Sequence, residues 1–225
     1  MSNPPAPAHE LPDWDELARR LAQRPQRRVR LANFRESAVL VPLIETPSVP
    51  PDADADAHPG QPPERHLSEL LYIVRTTSLP THAGQVAFPG GKRELDDLNL
   101  TQTALREATE EVGIPAAAVR VLGTLDDVPT PMGFVITPVV GLVRGPVQLQ
   151  LHAGEVAHTF TAGLGKLPAT YRSAGQADWQ GLRYTMHEFL YEGQRIWGAT
   201  AAITLQLLDT LSLLAAPPRD PEAIR

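Results

Sequence analysis

The chain has 225 residues with 23 prolines, 16 glycines, no cysteine and a formal net charge of −6. This length accommodates one or two domains, and the absence of cysteine excludes disulfide scaffolds, zinc–cysteine sites and thiol nucleophiles. The mild acidity argues against nucleic-acid binding through bulk positive charge. Because no stretch is apolar enough to span a membrane or to act as a secretory signal, we expect a cytoplasmic protein with neither nucleic acid nor membrane as a partner.

The first predicted elements are a short helix and a strand. Residues 13–23 have a helical pattern with Asp13 as the N-cap, and residues 24–30, which are basic, follow as either a solvated helix end or a phosphate contact. Residues 37–44 are mostly aliphatic and indicate a buried strand. Pro42 within this run predicts that the strand lies at a sheet edge or ends there.

The remaining elements alternate strands with two longer helices. Residues 45–63 are rich in proline, alanine and aspartate and predict a long loop. Further strands are predicted over residues 67–75, 85–88, 119–125, 134–143, 155–161 and 182–191, and helices over residues 99–112 and 199–214. Such a mixture is typical of an α/β or α+β domain. The apolar helix over residues 199–214 belongs either in the core or between subunits, so the oligomeric state stays open.

The chain is divided accordingly into three parts. We expect an N-terminal extension with the short helix over residues 1–36, one domain over residues 37–216 and a polar tail over residues 217–225. No internal repeat is visible, which favours a single domain over an array of repeated units.

The helix predicted over residues 99–112 carries an unusual charge pattern. Asn99 and Gly113 match the preferred N-cap and left-handed C-terminal positions. At 3.6 residues per turn, Glu107, Glu110 and Glu111 share one face opposite an apolar stripe, with no lysine among them. Clustered carboxylates are ligands of hard divalent cations. The face therefore indicates either a Mg²⁺ or Mn²⁺ site or an acidic solvated surface.

The loop before this helix favours the first interpretation. Gly90 and Gly91 allow a ligand to approach the backbone closely. The carbonyl group of Gly91 can then join the carboxylates around a metal ion. A phosphate-containing substrate would supply further oxygen ligands, which suits Mg²⁺ or Mn²⁺ better than Zn²⁺.

The segment over residues 90–114 resembles the Nudix box, Gly-x5-Glu-x7-Arg-Glu-U-x-Glu-Glu-x-Gly-U, in which U is aliphatic. From Arg106 to Ile114 the match is nearly complete. In the first half Asp97 replaces the glutamate, and its spacing to Arg106 is one residue longer than in the pattern. The resemblance implies a mixed β-sheet sandwiched between helices, and metal-dependent hydrolysis of a small pyrophosphate substrate.

The preceding residues 71–91 resemble the signature of the coenzyme A pyrophosphatase branch of this family. The positions that match in register are Leu71, Arg75, Gly84, Phe88, Pro89, Gly90 and Gly91. Pro80 replaces a signature arginine, and Arg93 or an N-terminal arginine is the expected substitute. The resemblance implies hydrolysis of coenzyme A to 3′,5′-ADP and 4′-phosphopantetheine. A Nudix enzyme acting on ADP-ribose or a dinucleoside polyphosphate is the alternative.

The resemblance also implies residue roles. Glu107 and Glu111 are the expected principal metal ligands, supported by Glu110 and the Gly91 carbonyl. The expected substrate contacts are Arg75, Gly84, Phe88 and Arg93. Arg106 and Asp97 are expected to orient the site residues without contacting substrate. Glu107 and Glu110 take part in catalysis, and Glu155, from a separate loop, is the candidate general base or else a solvated strand start. A non-catalytic, Nudix-like binding module is a further alternative, although such modules usually lack box glutamates and all three are present.

Overall fold

A computed structural model describes residues 13–44, 69–77, 82–145, 147–179 and 182–214. The loop predicted over residues 45–63, the polar tail and Pro80 lie outside these ranges. The helices are α1 (Trp14–Gln23), α2 (Leu100–Val112) and α3 (Gly198–Thr210). The strands are β1 (Arg35–Ile44), β2 (Glu69–Arg75), β3 (Val86–Ala87), β4 (Gly90–Lys92), β5 (Val119–Thr124), β6 (Val128–Thr130), β7 (Phe134–Val143), β8 (Val156–Gly163), β9 (Tyr171–Trp179), β10 (Leu182–Tyr191) and β11 (Gln194–Trp197).

The strands form two sheets. In the larger sheet the order is β3–β2–β1–β7–β5, with β4 paired to β1, β6 to β7 and β8 to β2. This sheet is mixed, because β1 and β7 run parallel while the other pairs are antiparallel. A smaller antiparallel sheet has the order β11–β10–β9.

Helices cover both faces of the larger sheet. Side chains alternate between the two faces of a strand, so Ala38 and Leu40 of β1 pack with α2, whereas Val41 and Leu43 pack with α1 and α3. The predicted α+β architecture, a mixed sheet between helices, is confirmed. Within the described part of the chain, no helix combines the length and apolarity needed to cross a membrane.

Both predicted N-cap residues, Asp13 and Asn99, are confirmed. The Asp13 side chain accepts a hydrogen bond from the Asp15 amide at the start of α1. Asn99 accepts one from the Gln102 amide at 2.9 Å, and α2 ends at Gly113, whose φ of 73° lies in the left-handed region. These caps satisfy backbone groups that the helix itself leaves unpaired.

The prediction that Pro42 marks a sheet edge is wrong. β1 lies between β2 and β7, and Pro42 is paired in register with Gly141 of β7. On the other side of β1, the pairing with β4 ends at Val39 and the pairing with β2 begins at Leu43. Pro42 therefore lies between two successive partner strands, where its missing N–H interrupts neither ladder.

Candidate active site

Strand β4 and helix α2 meet at the two glycines. A Cβ atom on Gly91 would lie 2.3 Å from Oε1 of Glu107, so no larger residue fits there without displacing the carboxylate. The amide of Gly90 donates a hydrogen bond to Oε2 of Glu111 at 2.9 Å. The predicted Gly-Gly loop and the predicted carboxylates are thus in direct contact.

The three glutamates differ in exposure, which corrects the expectation that they share one outward face. The side chains of Glu107 and Glu110 are 16% and 58% exposed, but that of Glu111 is 3% exposed. The reason is helical geometry: around the helix Glu111 is adjacent to Ala104 and Ala108, which are fully buried against the sheet. Glu111 therefore points inward at the border of the apolar stripe.

Burial changes the titration of these carboxylates. It raises the pKa of Glu111 to about 7, although the Gly90 amide and Arg75 oppose the shift. Burial also raises the pKa of Glu107, against the attraction of Arg106. A cation bound to these oxygens would favour the ionised forms, because an opposite charge nearby lowers a carboxyl pKa.

Arg75, at the end of β2, brings a positive charge to this cluster. Its Nη1 atom lies 3.5 Å from Oε1 of Glu111, and its side chain is 21% exposed. Its Nε atom is buried and has no hydrogen-bond partner within the described residues. The guanidinium group thus has donors left over for an anion that enters the cluster.

Glu155 joins the same cluster from the turn before β8. Its carboxylate is 45% exposed, and it adds to the upward pKa shifts of both Glu107 and Glu111 through repulsion between like charges. Nδ1 of His152 lies 3.7 Å from Oε1 of Glu155. A water molecule can therefore reach Glu155 while the deeper glutamates are enclosed.

The segment over residues 150–155 fastens this turn to the end of α2. The amides of Gln150 and His152 donate to the carbonyl groups of Val112 and Glu111 at 3.0 and 2.9 Å. The carbonyl group of His152 in turn accepts from the Glu155 amide at 2.9 Å. This connection was not predicted, because it uses backbone atoms that carry no side-chain signature.

Arg106 connects the loop after β4 with the helix. It forms two hydrogen bonds of 3.1 Å to the carboxylate of Asp97, and it lies 3.1 Å from both Glu107 and Glu110. The Arg106 guanidinium lowers the pKa of Asp97 to about 2. Asp97 also accepts from the hydroxyl of Thr103 at 2.9 Å. This geometry is compatible with the supporting roles expected of Arg106 and Asp97.

The other residues expected to contact substrate have structural partners. Phe88 is 3% exposed and stacks on Tyr72 at 4.7 Å in the core on the α1 and α3 side, so it packs the core there, and its contact with substrate stays a prediction. Gly84, with φ of 68°, belongs to a turn after β2, where its amide donates to the Arg75 carbonyl. Arg93 forms an ion pair with Glu36 at 2.8 Å.

Two of the basic residues after α1 form structural ion pairs. Arg24 forms an ion pair with Asp126, and Arg28 forms one with Asp127 at 3.0 Å. Both acids follow β5 and are almost completely buried. The sequence did not predict these ion pairs, in which the side chains of Arg24 and Arg28 stay 24% and 46% exposed.

The donor set fits a hard divalent cation, because it consists of carboxylates and a backbone carbonyl group without histidine or cysteine. Among the described residues, no three acidic or histidine side chains already converge as a preformed metal site. The reason is visible in the contacts: Arg106 holds Glu107 and Glu110, while Gly90 and Arg75 hold Glu111. A cation would therefore compete with these partners for the oxygens.

Solved structures that resemble this chain include a Nudix hydrolase and an Ap4A hydrolase. A Nudix hydrolase from M. smegmatis, RenU, superposes with a TM-score of 0.44 at 20% identity, covering 61% of this chain and 76% of that one. An Ap4A hydrolase from C. elegans, in a binary complex, gives a TM-score of 0.42 at 17% identity, covering 57% and 80%. At these values the likeness says nothing about the substrate.

The sequence comparisons give stronger evidence about the family of this chain. A model of the NUDIX domain matches residues 63–195. A protein of Yersinia enterocolitica serotype O:8, named "Uncharacterized Nudix hydrolase NudL", is 36% identical over 204 residues, covering 88% of this chain and 92% of the relative. A protein of the same name from Yersinia pestis strain Pestoides F is 37% identical over 183 residues, covering 81% and 82%. The chain therefore belongs to the Nudix hydrolase family, whose members generally use divalent metal ions to act on small pyrophosphate substrates.

Proposed function

We propose that the protein hydrolyses the pyrophosphate bond of coenzyme A, with Mg²⁺ or Mn²⁺, to 3′,5′-ADP and 4′-phosphopantetheine. The observation that carries the proposal is the position of Arg75. This residue belongs to the stretch that resembles coenzyme A pyrophosphatases, and its guanidinium group lies 3.5 Å from Glu111 in the carboxylate cluster. A pyrophosphate group needs a fixed cation at such a place, because Glu107, Glu110 and Glu111 alone would repel it.

The metal ligands follow from the same cluster. Glu107 and Glu111 would hold the ion, assisted by Glu110 and the carbonyl group of Gly91. A divalent cation supplies charge neutralisation at the pyrophosphate and makes an attacking water more acidic. Arg106 and Asp97 connect the loop after β4 to α2. The side chains that would bind the metal ion are thereby held in place before the ion binds.

Glu155 is the general base in this proposal. Metal ligation lowers the basicity of the box glutamates, whereas Glu155 stands at the solvent side of the cluster. Its carboxylate accepts a proton as the water oxygen bonds to phosphorus. The bond from phosphorus to the bridging oxygen then breaks, and Arg75 holds the charged phosphate in line. Both products leave as phosphate monoesters.

A substrate panel tests the proposal. Coenzyme A, ADP-ribose, NADH and diadenosine polyphosphates are each incubated with Mg²⁺ and with Mn²⁺, and the products are identified by mass. We expect 3′,5′-ADP and 4′-phosphopantetheine from coenzyme A at the highest kcat/KM of the panel. The Glu107→Gln variant is the inactive control.

Two results would overturn the proposal. Preferential cleavage of ADP-ribose or of a dinucleoside polyphosphate would assign the chain to another Nudix substrate class. Binding of coenzyme A without cleavage under either metal ion would favour a binding module.

A further inference from the structure

Two cations share one aromatic ring on the sheet face opposite the helix that carries the glutamates. The guanidinium carbon of Arg35, in β1, lies 4.3 Å from the ring centroid of Phe134, in β7. The ammonium nitrogen of Lys92, in β4, lies 5.9 Å from the same centroid. The register pairs Arg35 with Phe134 and Ser37 with Lys92, so all three side chains lie on the sheet face opposite α2. We call the two cations the Arg35–Lys92 pair.

The part of the chain that the structure describes gives this pair no acidic counterpart. Within the described residues neither cation forms an ion pair with a carboxylate, and both side chains are exposed. Two like charges around one ring repel each other, and the ring offsets only part of that repulsion through cation–π attraction. An anion between them would relieve it and would accept charge-assisted hydrogen bonds from both groups.

The pair and the carboxylate cluster lie on opposite faces of the sheet and are connected through the backbone of β4. Lys92 directly follows Gly91, so their Cα atoms lie about 3.8 Å apart, and Gly91 packs against Glu107. Among the described strands, β4 pairs only with β1, so its other edge has no strand beside it. Side chains of α2 contact this edge, because the Lys92 carbonyl group accepts from Arg106 at 3.0 Å and the Gly90 amide donates to Glu111. A substrate with its pyrophosphate at Glu107 would therefore extend around Arg106 to place a second anionic group at the pair.

We propose that the Arg35–Lys92 pair binds a second phosphate group of the substrate, which in coenzyme A is the 3′-phosphate of the ribose. This inference rests on the proposed function and explains how the site selects its substrate. ADP-ribose and NADH have a pyrophosphate but no such monoester. The pair therefore favours coenzyme A over the rival substrates that the carboxylate cluster alone would accept equally.

The test compares coenzyme A with 3′-dephospho-coenzyme A. Wild-type protein is expected to prefer coenzyme A in kcat/KM by about 10- to 100-fold, as for one or two hydrogen bonds to a charged group. The double variant Arg35→Gln, Lys92→Gln is expected to lose this preference through a higher KM for coenzyme A, with little change for the dephosphorylated substrate. Arg144→Gln, an exposed arginine just beyond the other end of β7, is the matched control.

The outcomes separate this inference from the proposed function. If coenzyme A is cleaved but the double variant keeps the wild-type preference, the pair has no such role and the proposed function stands. If coenzyme A is not cleaved, titration calorimetry with 3′,5′-ADP and AMP still tests the pair without turnover. Tighter binding of 3′,5′-ADP that disappears in the double variant supports it, and equal binding of both ligands by wild-type protein overturns it.

Discussion

Thr76 holds the turn that presents Glu155 through two hydrogen bonds. Its amide donates to the Glu155 carbonyl group at 2.9 Å, and its hydroxyl donates to the Gly154 carbonyl group at 3.3 Å. The same turn is bonded through His152 to the end of α2. The backbone of Glu155 is therefore fixed both by the end of β2 and by the helix that carries the other glutamates.

The first prediction concerns this contact. Thr76→Val removes the hydroxyl donor with little change in volume, and we expect kcat to fall about 3- to 10-fold at unchanged KM, since one neutral hydrogen bond contributes about 0.5–1.5 kcal/mol. Thr76→Ser keeps the donor and should restore most of the rate. Steady-state kinetics and the pH–rate profile measure both variants. Equal losses in the valine and serine variants would count against a positioning role for the hydroxyl.

Glu107→Gln tests the metal ligands. We expect hydrolysis with Mg²⁺ to be abolished while the protein stays folded, because the amide has the same shape but is a poor ligand for a hard cation. Circular dichroism and thermal unfolding check the fold. Glu110→Gln is the matched control, and its 58% exposed side chain predicts a smaller loss. Near-wild-type turnover in the Glu107→Gln variant would falsify the assignment.

Glu155→Gln tests the general base. We expect kcat to fall by about 10²- to 10⁴-fold, the range typical of a lost acid–base group. The shape of the pH–rate profile should change as well, because the residue that accepts the proton of the attacking water is gone. Glu192→Gln, an exposed glutamate in the turn between β10 and β11, serves as the control. A profile of unchanged shape would place the base on another residue.

Asp97→Asn tests the ion pair between Asp97 and Arg106. Arg106 lowers the pKa of Asp97 from an ordinary 3.8 to about 2, so the ionised carboxylate stabilises the folded state. This contribution is complete above the ordinary pKa and is lost as the pH falls from about 4 towards about 2. We expect the asparagine variant to lose about 1–3 kcal/mol of unfolding free energy at pH 7, the cost of a broken hydrogen bond to a charged group.

Denaturant unfolding at pH 7 and at pH 3 measures this dependence. The difference between wild type and Asp97→Asn should shrink at the lower pH. Asp96→Asn changes the exposed neighbouring carboxylate and should alter stability little at either pH. A difference that stayed constant with pH would show that the charge of Asp97 does not act through Arg106.

Elements that depend on local pattern could be predicted from the sequence. The aliphatic run of β7 is bounded as predicted, and the caps of α2 at Asn99 and Gly113 are local hydrogen-bonding preferences. In contrast, β9 was not predicted, because its polar sequence with Gly175 lacks a strand pattern and depends on pairing with β10.

The parts of the site that could not be predicted depend on long-range contacts. The motif match places Phe88 along the chain but does not specify which face of the sheet it occupies, and here it packs on Tyr72. Likewise, the partners of Arg24 and Arg28 are two aspartates about a hundred residues away. The burial of Glu111 follows from helix geometry only once the buried face of α2 is known.

The parallel pairing of β1 with β7 has a consequence for biosynthesis. The ladder between β1 and β7 pairs Arg35 with Phe134. It therefore joins two segments that the ribosome synthesises at well-separated times. Helix α2 is made between them and docks partly on Val139 and Val143 of β7. At a synthesis rate of about 5–20 residues per second, the apolar stripe of α2 remains without that packing surface for several seconds. Refolding should accordingly be limited by closure of this long-range parallel ladder rather than by formation of α2.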